Sequence, residues 1–205
     1  MRGRKNINQE EAVAFITELF SEMGWSDMTV EASAHKGITF KQNNTTLMNA
    51  TLYASEWLLY YNEGNTSYTP TNGTGVENYT YTIYGTAHGL LIRLIAVGSS
   101  YNENIIITRD DDIITIIVQR LFNASTPVDA IVINYHQSTY QQIVFTANQS
   151  TNTSLTNFVR VGEIGTDTVC KYAFFIPLYQ YNVEGILTIN DIQYASNGYW
   201  CLSDE

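Results

Sequence analysis

Positive charge is what this chain has least of. Ten Lys and Arg stand against twenty Asp and Glu in 205 residues, a formal net charge of −10. Between Lys41 and Arg93 neither occurs. Phosphate recognition needs clustered cations, so direct nucleic-acid binding is not expected. The one basic concentration, Arg2, Arg4 and Lys5, reads as a solvated end of the chain. Charged residues of both signs make up only 15%, below the usual quarter. Asn, Thr, Ser, Gln and Tyr take their place, giving a polar but weakly charged surface that suits a protein covered by partners.

Cysteine is equally scarce. Cys170 and Cys201 are too few for a disulfide scaffold, and the reading is two buried reduced thiols, with a strand-to-strand disulfide as the alternative. Long apolar runs are missing too. Gly89–Gly98 is too short to cross a bilayer and contains Arg93, so no membrane partner is expected. The Arg2–Lys5 cluster leads into Asn8, Glu10 and Glu11 and not into an apolar segment, which predicts no secretory leader.

Catalytic signatures are absent as well. There is no Gly-x-Ser-x-Gly step, and Gly73-Thr74-Gly75 lacks the Lys and the strand–helix setting of a phosphate loop. His35, His88 and His136 lie far apart, and neither cysteine has a partner at metal-ligand spacing. A glycosidase needs only two carboxylates close in space, and nothing in the sequence points to such a pair. Asp110 and Asp112, in Arg109-Asp110-Asp111-Asp112, form the one weak calcium candidate. Alternation lets at most these two converge, and a solvated hairpin turn is the better reading. We therefore expect no cofactor and no enzymatic activity.

What is present is β-forming. Ile, Thr and Tyr fill short alternating or apolar stretches separated by turn residues, the pattern of a mainly β protein. The strands expected are Met28–Ser33, Gly37–Gln42, Thr51–Tyr61, Tyr79–Tyr84, Leu90–Val97, Asn104–Arg109, Ile113–Leu121, Ala130–His136, Gln142–Ala147, Phe158–Ile164, Val169–Pro177, Gly185–Asn190, Ile192–Ala195 and Tyr199–Leu202. Thr51–Tyr61 is ambiguous, because Leu47, Tyr53, Trp57 and Tyr60 also match a helical face. Strands spaced by about ten residues predict an antiparallel sandwich or barrel-like domain.

One amphipathic helix precedes them. Asn8 and Glu11 form a capping box, and Gly24 is placed to stop the helix. Ala12, Phe15, Ile16, Leu19, Phe20 and Met23 share one face, which must be buried on the body of the chain or on a neighbouring subunit. Phe15 and Leu19 are therefore interface candidates. The organisation expected is an arm and helix over residues 1–25 and one β domain over 26–205.

Two polar stretches interrupt the strands, Asn62–Asn78 and the shorter Asn148–Asn157. Long loops in compact domains are commonly functional. Nine Asn-x-Ser/Thr triplets begin at Asn43, Asn44, Asn49, Asn65, Asn72, Asn78, Asn123, Asn148 and Asn152. They read as loop composition, the alternative being a coat protein that its host glycosylates. Fifteen tyrosines supply rings with a hydrogen-bonding tip, suited to protein contacts and to stacking on sugars. Tyr60, Tyr61, Tyr68 and Tyr79, beside or within the longer loop, are the contact candidates.

The ending Gly185-Ile-Leu-Thr-Ile-Asn-Asp-Ile-Gln-Tyr-Ala-Ser-Asn-Gly-Tyr-Trp-Cys-Leu-Ser-Asp-Glu205 reads as a tight β-meander with turns at Asn190-Asp191 and Ser196-Asn197-Gly198. It resembles the final hairpins of minor structural proteins in tailed-bacteriophage virions, over about twenty residues and on general meander chemistry. The resemblance implies a minor capsid, decoration, neck or tail-associated protein, made in the bacterial cytoplasm, homo-oligomeric and packed against other virion proteins. The alternative is a β module that binds a glycan or a host receptor.

Overall fold

The computed structural model describes residues 1–52, 60–61, 76–97, 102–110, 113–122, 126–136, 139–145, 175–177, 184–189, 191–197 and 200–204. Local chemistry fixes the helix α1 (Gln9–Glu22) at both ends. The Asn8 side chain accepts from Glu11 N–H at 3.0 Å, and the Glu11 carboxylate accepts from Asn8 N–H at 3.0 Å. This reciprocal box satisfies two of the donors a helix start leaves orphaned. At the other end Gly24 takes φ +72°. Gly24 N–H then donates to Ser21 O at 3.1 Å and Trp25 N–H to Phe20 O at 2.8 Å, the Schellman pattern. Trp25 stacks on Phe20 with ring centroids 5.7 Å apart, the apolar contact that accompanies such a stop.

Around the helix the described chain is mainly antiparallel β, as the alternation predicts. A seven-stranded sheet runs in the order β1 (Arg2–Ile7), β6 (Tyr79–Thr86), β7 (Gly89–Ala96), β8 (Asn102–Asp110), β9 (Ile113–Phe122), β10 (Thr126–His136) and β11 (Thr139–Phe145). From β6 onward it is an unbroken meander of hairpins. A four-stranded sheet contains β2 (Met28–Ala32), β3 (Ile38–Gln42), β4 (Thr45–Ala50) and β5 (Tyr60–Tyr61). The C-terminal sheet orders β12 (Phe175–Pro177), β15 (Trp200–Ser203), β14 (Ile192–Asn197) and β13 (Glu184–Ile189). This last sheet is the meander expected from the sequence, with Asp191 in its first turn at φ 68°.

The long sheet meets a cover on each face, over β6 to β9 on the front and over β6 and β7 on the back, and alternation decides what each cover meets. On the front, Tyr81, Ile83, Ile92, Leu94, Ile105, Ile107, Ile116 and Val118 share one core with α1, β2, β3 and β4. A Cβ added to Gly85 would fall 2.5 Å from Leu19 Cδ2, so the close seat of α1 on β6 needs a glycine there. On the back, β14 and β15 lie against β6 and β7.

Several expectations change here. The basic N-terminus is an edge strand, pairing Arg2 with Gly85 and Arg4 with Ile83. Its cations are held by the helix: Arg2 bonds Glu18 at 3.0 Å and also Glu22, and the Arg4 guanidinium lies 4.9 Å from the centre of the Phe15 ring. The apolar helix face packs on the body of its own chain, with Phe15 and Leu19 buried in that core and not presented to a neighbour. Of the strand expected over 51–61, Tyr60–Tyr61 is β5 and 53–59 lie outside the described residues. A strand not expected, β4, precedes it because Asn43 and Asn44 (φ 48° and 66°) form a tight turn directly after β3. Both residues tolerate the left-handed region that a two-residue hairpin turn requires. Thr51 and Leu52 carry no strand. The strand expected over 158–164, the loop 148–157 and the part of Val169–Pro177 before Phe175 lie outside the described residues. Cys201 is a buried free thiol, pushed up to about 12 by burial, and Cys170 lies outside the described residues.

Candidate binding groove and sheet edges

The turn between β2 and β3 is the most constrained backbone in the described chain. Gly37 N–H donates to Ala34 O at 3.0 Å, and the two central residues, His35 and Lys36, take φ 54° and 60°. That is the type I′ pattern, for which Asn-Gly is the usual sequence. A non-glycine residue in this region costs about 1–2 kcal/mol, so something must hold His35 and Lys36 there.

Three side chains do so. The Tyr79 hydroxyl donates to His35 O at 2.9 Å and the Tyr81 hydroxyl to Lys36 O at 2.5 Å. Gln9, in the first turn of α1, donates to Ser33 O at 2.8 Å and also to Gly37 O. Gly37 is needed as glycine, because a Cβ would lie 2.8 Å from Ala50 O. Burial pushes both tyrosine phenols up, and the negative Glu103 nearby adds to this, so both hydroxyls stay protonated donors.

Beside this turn lies an open groove of about 530 Å³. One wall is the helix start, Asn8 to Glu10, and the floor is Glu77 to Thr80. Lys36 and Val97 form the rims, and Val97 is 64% exposed. His35 Nδ1 lies 2.7 Å from Glu77 Oε1 across the rim. With Asn8, Gln9 and Tyr79 engaged within the chain, the groove offers the Asn78 amide, the Thr80 hydroxyl, one ammonium, two carboxylates and an apolar lip. Such a lining can hydrogen-bond a neutral polar molecule in several directions. Among the described residues no three His, Cys, Asp or Glu side chains come together as metal ligands.

The contact candidates fall differently. Tyr79 is buried and spends its hydroxyl on His35 O, so it props the turn and offers no free tip. Tyr60 and Tyr61 pair with Asn49 and Met48 at the edge of their sheet, their side chains lying outside the described residues. Tyr68 and Asp112 also lie outside, as does the loop 62–78 before Val76. Asp110 closes the β8–β9 hairpin opposite Ile113, where the turn reading put it. Sequence reasoning missed His35, Lys36 and Gln9. The available signal was the short gap between two alternating strands, but His-Lys lacks the Asn-Gly signature of such a turn.

The other surface on offer is the set of sheet edges. Four of the six described edges carry features that discourage pairing. β1 has exposed Arg2, Arg4 and Lys5 and a bulge before Ile7. β2 has exposed Glu31. β5 is two residues long, and β12 is three residues ending in Pro177. The remaining two, β11 and β13, contain no proline, and their only charged residue is Glu184 at the start of β13.

No protein-family model, curated protein or solved structure matches this chain.

Proposed function

We propose that this chain is a non-enzymatic structural subunit of a tailed-bacteriophage virion, in a minor capsid, decoration, neck or tail-associated position, acting by packing against other subunits. The observation that carries the reading is the contrast among sheet edges. The front of β6 to β9 and the back of β6 and β7 are covered within the chain. Among the described edges β11 and β13 carry the fewest features that discourage pairing, which suits them to partners. A weakly charged, acidic chain is suited to meeting other proteins there and unsuited to gripping DNA. The test is to purify particles through a density gradient and identify their proteins by mass spectrometry. Recovery of this chain at a fixed copy number per particle is expected, and its absence from intact particles would overturn the proposal.

The groove favours a second reading, a module that binds a neutral glycan. Its Asn78 amide, Thr80 hydroxyl and charged rim beside an apolar lip are chemistry that recognises sugar hydroxyls and ring faces. A glycan array with Asn78→Ala and Lys36→Gly variants decides it. A selective hit lost in both variants supports this role, and an array without hits removes it.

A further inference from the structure

Of these two edges, β13 also carries an exposed apolar side chain. Ile186 is 64% exposed, and with Val97 it is one of two large hydrophobics so exposed among the described residues. It sits in the middle of the edge strand, on the face it shares with Glu184 and Thr188. The strand's one charge is engaged by its own chain: Glu184 accepts from the Tyr84 hydroxyl at 3.3 Å and lies 3.4 Å from Lys5 Nζ. Gly185 to Ile189 are uncharged. In a chain of net charge −10, an uncharged edge is where two copies approach with least repulsion.

We infer that β13 is the surface through which two copies of this chain pair, antiparallel about a two-fold axis at Ile186, joining their four-stranded C-terminal sheets into one. This deepens the subunit-packing reading above and rests on it. A two-fold axis perpendicular to the sheet keeps every residue on its own face, so directly opposed residues must be an even number of positions apart. Centring on Ile186 sets the two exposed isoleucines against each other. It also places Glu184 opposite Thr188 and Gly185 opposite Leu187, so no like charges face each other. Main-chain hydrogen bonds supply the attraction, as in other strand additions, and the isoleucine pair sets the register.

The test uses the full chain in sedimentation equilibrium over a concentration series. The wild type is expected to reach twice the 23.1 kDa mass of one chain. Ile186→Lys, which opposes two ammonium groups at the axis, is expected to weaken dimerisation at least tenfold with the thermal midpoint unchanged, while Ile186→Val keeps the dimer. Directly opposed residues have Cα atoms about 4.5–5.5 Å apart, within disulfide reach. Ile186→Cys should therefore cross-link under mild oxidation, and Thr188→Cys should not. A wild type that stays monomeric, an Ile186→Lys mass equal to wild type, or no cross-link through Ile186→Cys each overturns the pairing. Particles that incorporate Ile186→Lys normally would sink the edge contact and leave the virion role standing. A dimer through Ile186 that is missing from particles would do the reverse.

Discussion

On the front of the seven-stranded sheet one row across the strands reads Ile83, Ile92, Ile105 and Val118, while on the back one neighbouring row reads Thr82, Arg93 and Asn104 and the other Tyr84, Leu91, Ile106 and Ile117. The front row and each back row differ by one residue in register, and the back mixes polar with apolar positions. The front is closed by α1 and β2–β4 over an apolar core. The back buries Thr82, Asn102, Asn104, Thr108 and Thr115 among Leu91, Ile106 and Ile117, and the C-terminal sheet buries Ser196 and Ser203. Apolar burial is non-directional, so the front gains stability from nearly any good packing. Buried hydroxyls and amides are satisfied only in particular arrangements, so the polar positions of the back depend on geometry more than the apolar front does.

The largest effect that would test this contrast is truncation on the front. Phe40 is fully buried and meets Phe20 edge-on with centroids 6.4 Å apart. Phe40→Ala should cost about 3–5 kcal/mol in chemical denaturation. A loss of less than about 1 kcal/mol would mean the front core repacks freely and is not the main source of stability.

Charge on the front is confined to the rim. Arg109, at the end of β8, donates to Asp27 Oδ1 at 2.5 Å, and Gln42 donates to Asp27 Oδ2 at 2.8 Å. Burial alone would raise the Asp27 carboxyl, but these hydrogen bonds and the guanidinium charge outweigh it and hold the group below the usual carboxylate range. A depressed folded pKa contributes stability above the unfolded value of about 3.9, lost as pH falls through the folded one. Asp27→Asn should therefore cost about 1.5–3 kcal/mol at pH 7. The gap from wild type should narrow progressively below about pH 4. Urea titrations at both pH values measure it, and a gap independent of pH would remove Asp27 from the account.

Close approach on the front can be tested through Gly85. The three atoms nearest its added methyl would all belong to the Leu19 side chain. Gly85→Ala should cost about 1–3 kcal/mol, and less in a Leu19→Ala background where the space is open. Equal costs in the two backgrounds would show that α1 does not seat on β6 as described.

Both halves of the fold were partly legible: the C-terminal meander on the back was expected strand by strand, and much of the front was too. Period-3.6 spacing gave α1, its capping box and its glycine stop; period-2 spacing gave β2, β3 and most strands of the long meander. β1 escaped because Arg2, Arg4 and Lys5 look solvated, and only the helix carboxylates and the Phe15 ring explain a cationic edge strand. β4 escaped because Asn43-Asn44 read as loop composition when it is a left-handed turn. The groove was hidden for a related reason. His35 and Lys36 hold a turn their own propensities resist, and the residues that hold them, Gln9, Tyr79 and Tyr81, are distant in sequence. Tyr79 looked like a contact tip because sequence does not say where a phenol finds its acceptor.

The smallest expected effect separates the two faces most sharply. Thr108 lies on the back, buried, and its hydroxyl finds no hydrogen-bond partner among the described residues. A buried hydroxyl left unmade costs free energy that a methyl of similar shape does not. Thr108→Val should therefore be neutral or stabilising by up to about 1 kcal/mol, whereas removing atoms from the front always destabilises. Denaturant midpoints of wild type and Thr108→Val, compared with Thr115→Val, where the buried hydroxyl is not among those left without a partner, give the answer. A loss at Thr115 with none at Thr108 is the signature of a face organised by individual polar contacts. Equal losses at both would mean that the back, like the front, depends on packing volume.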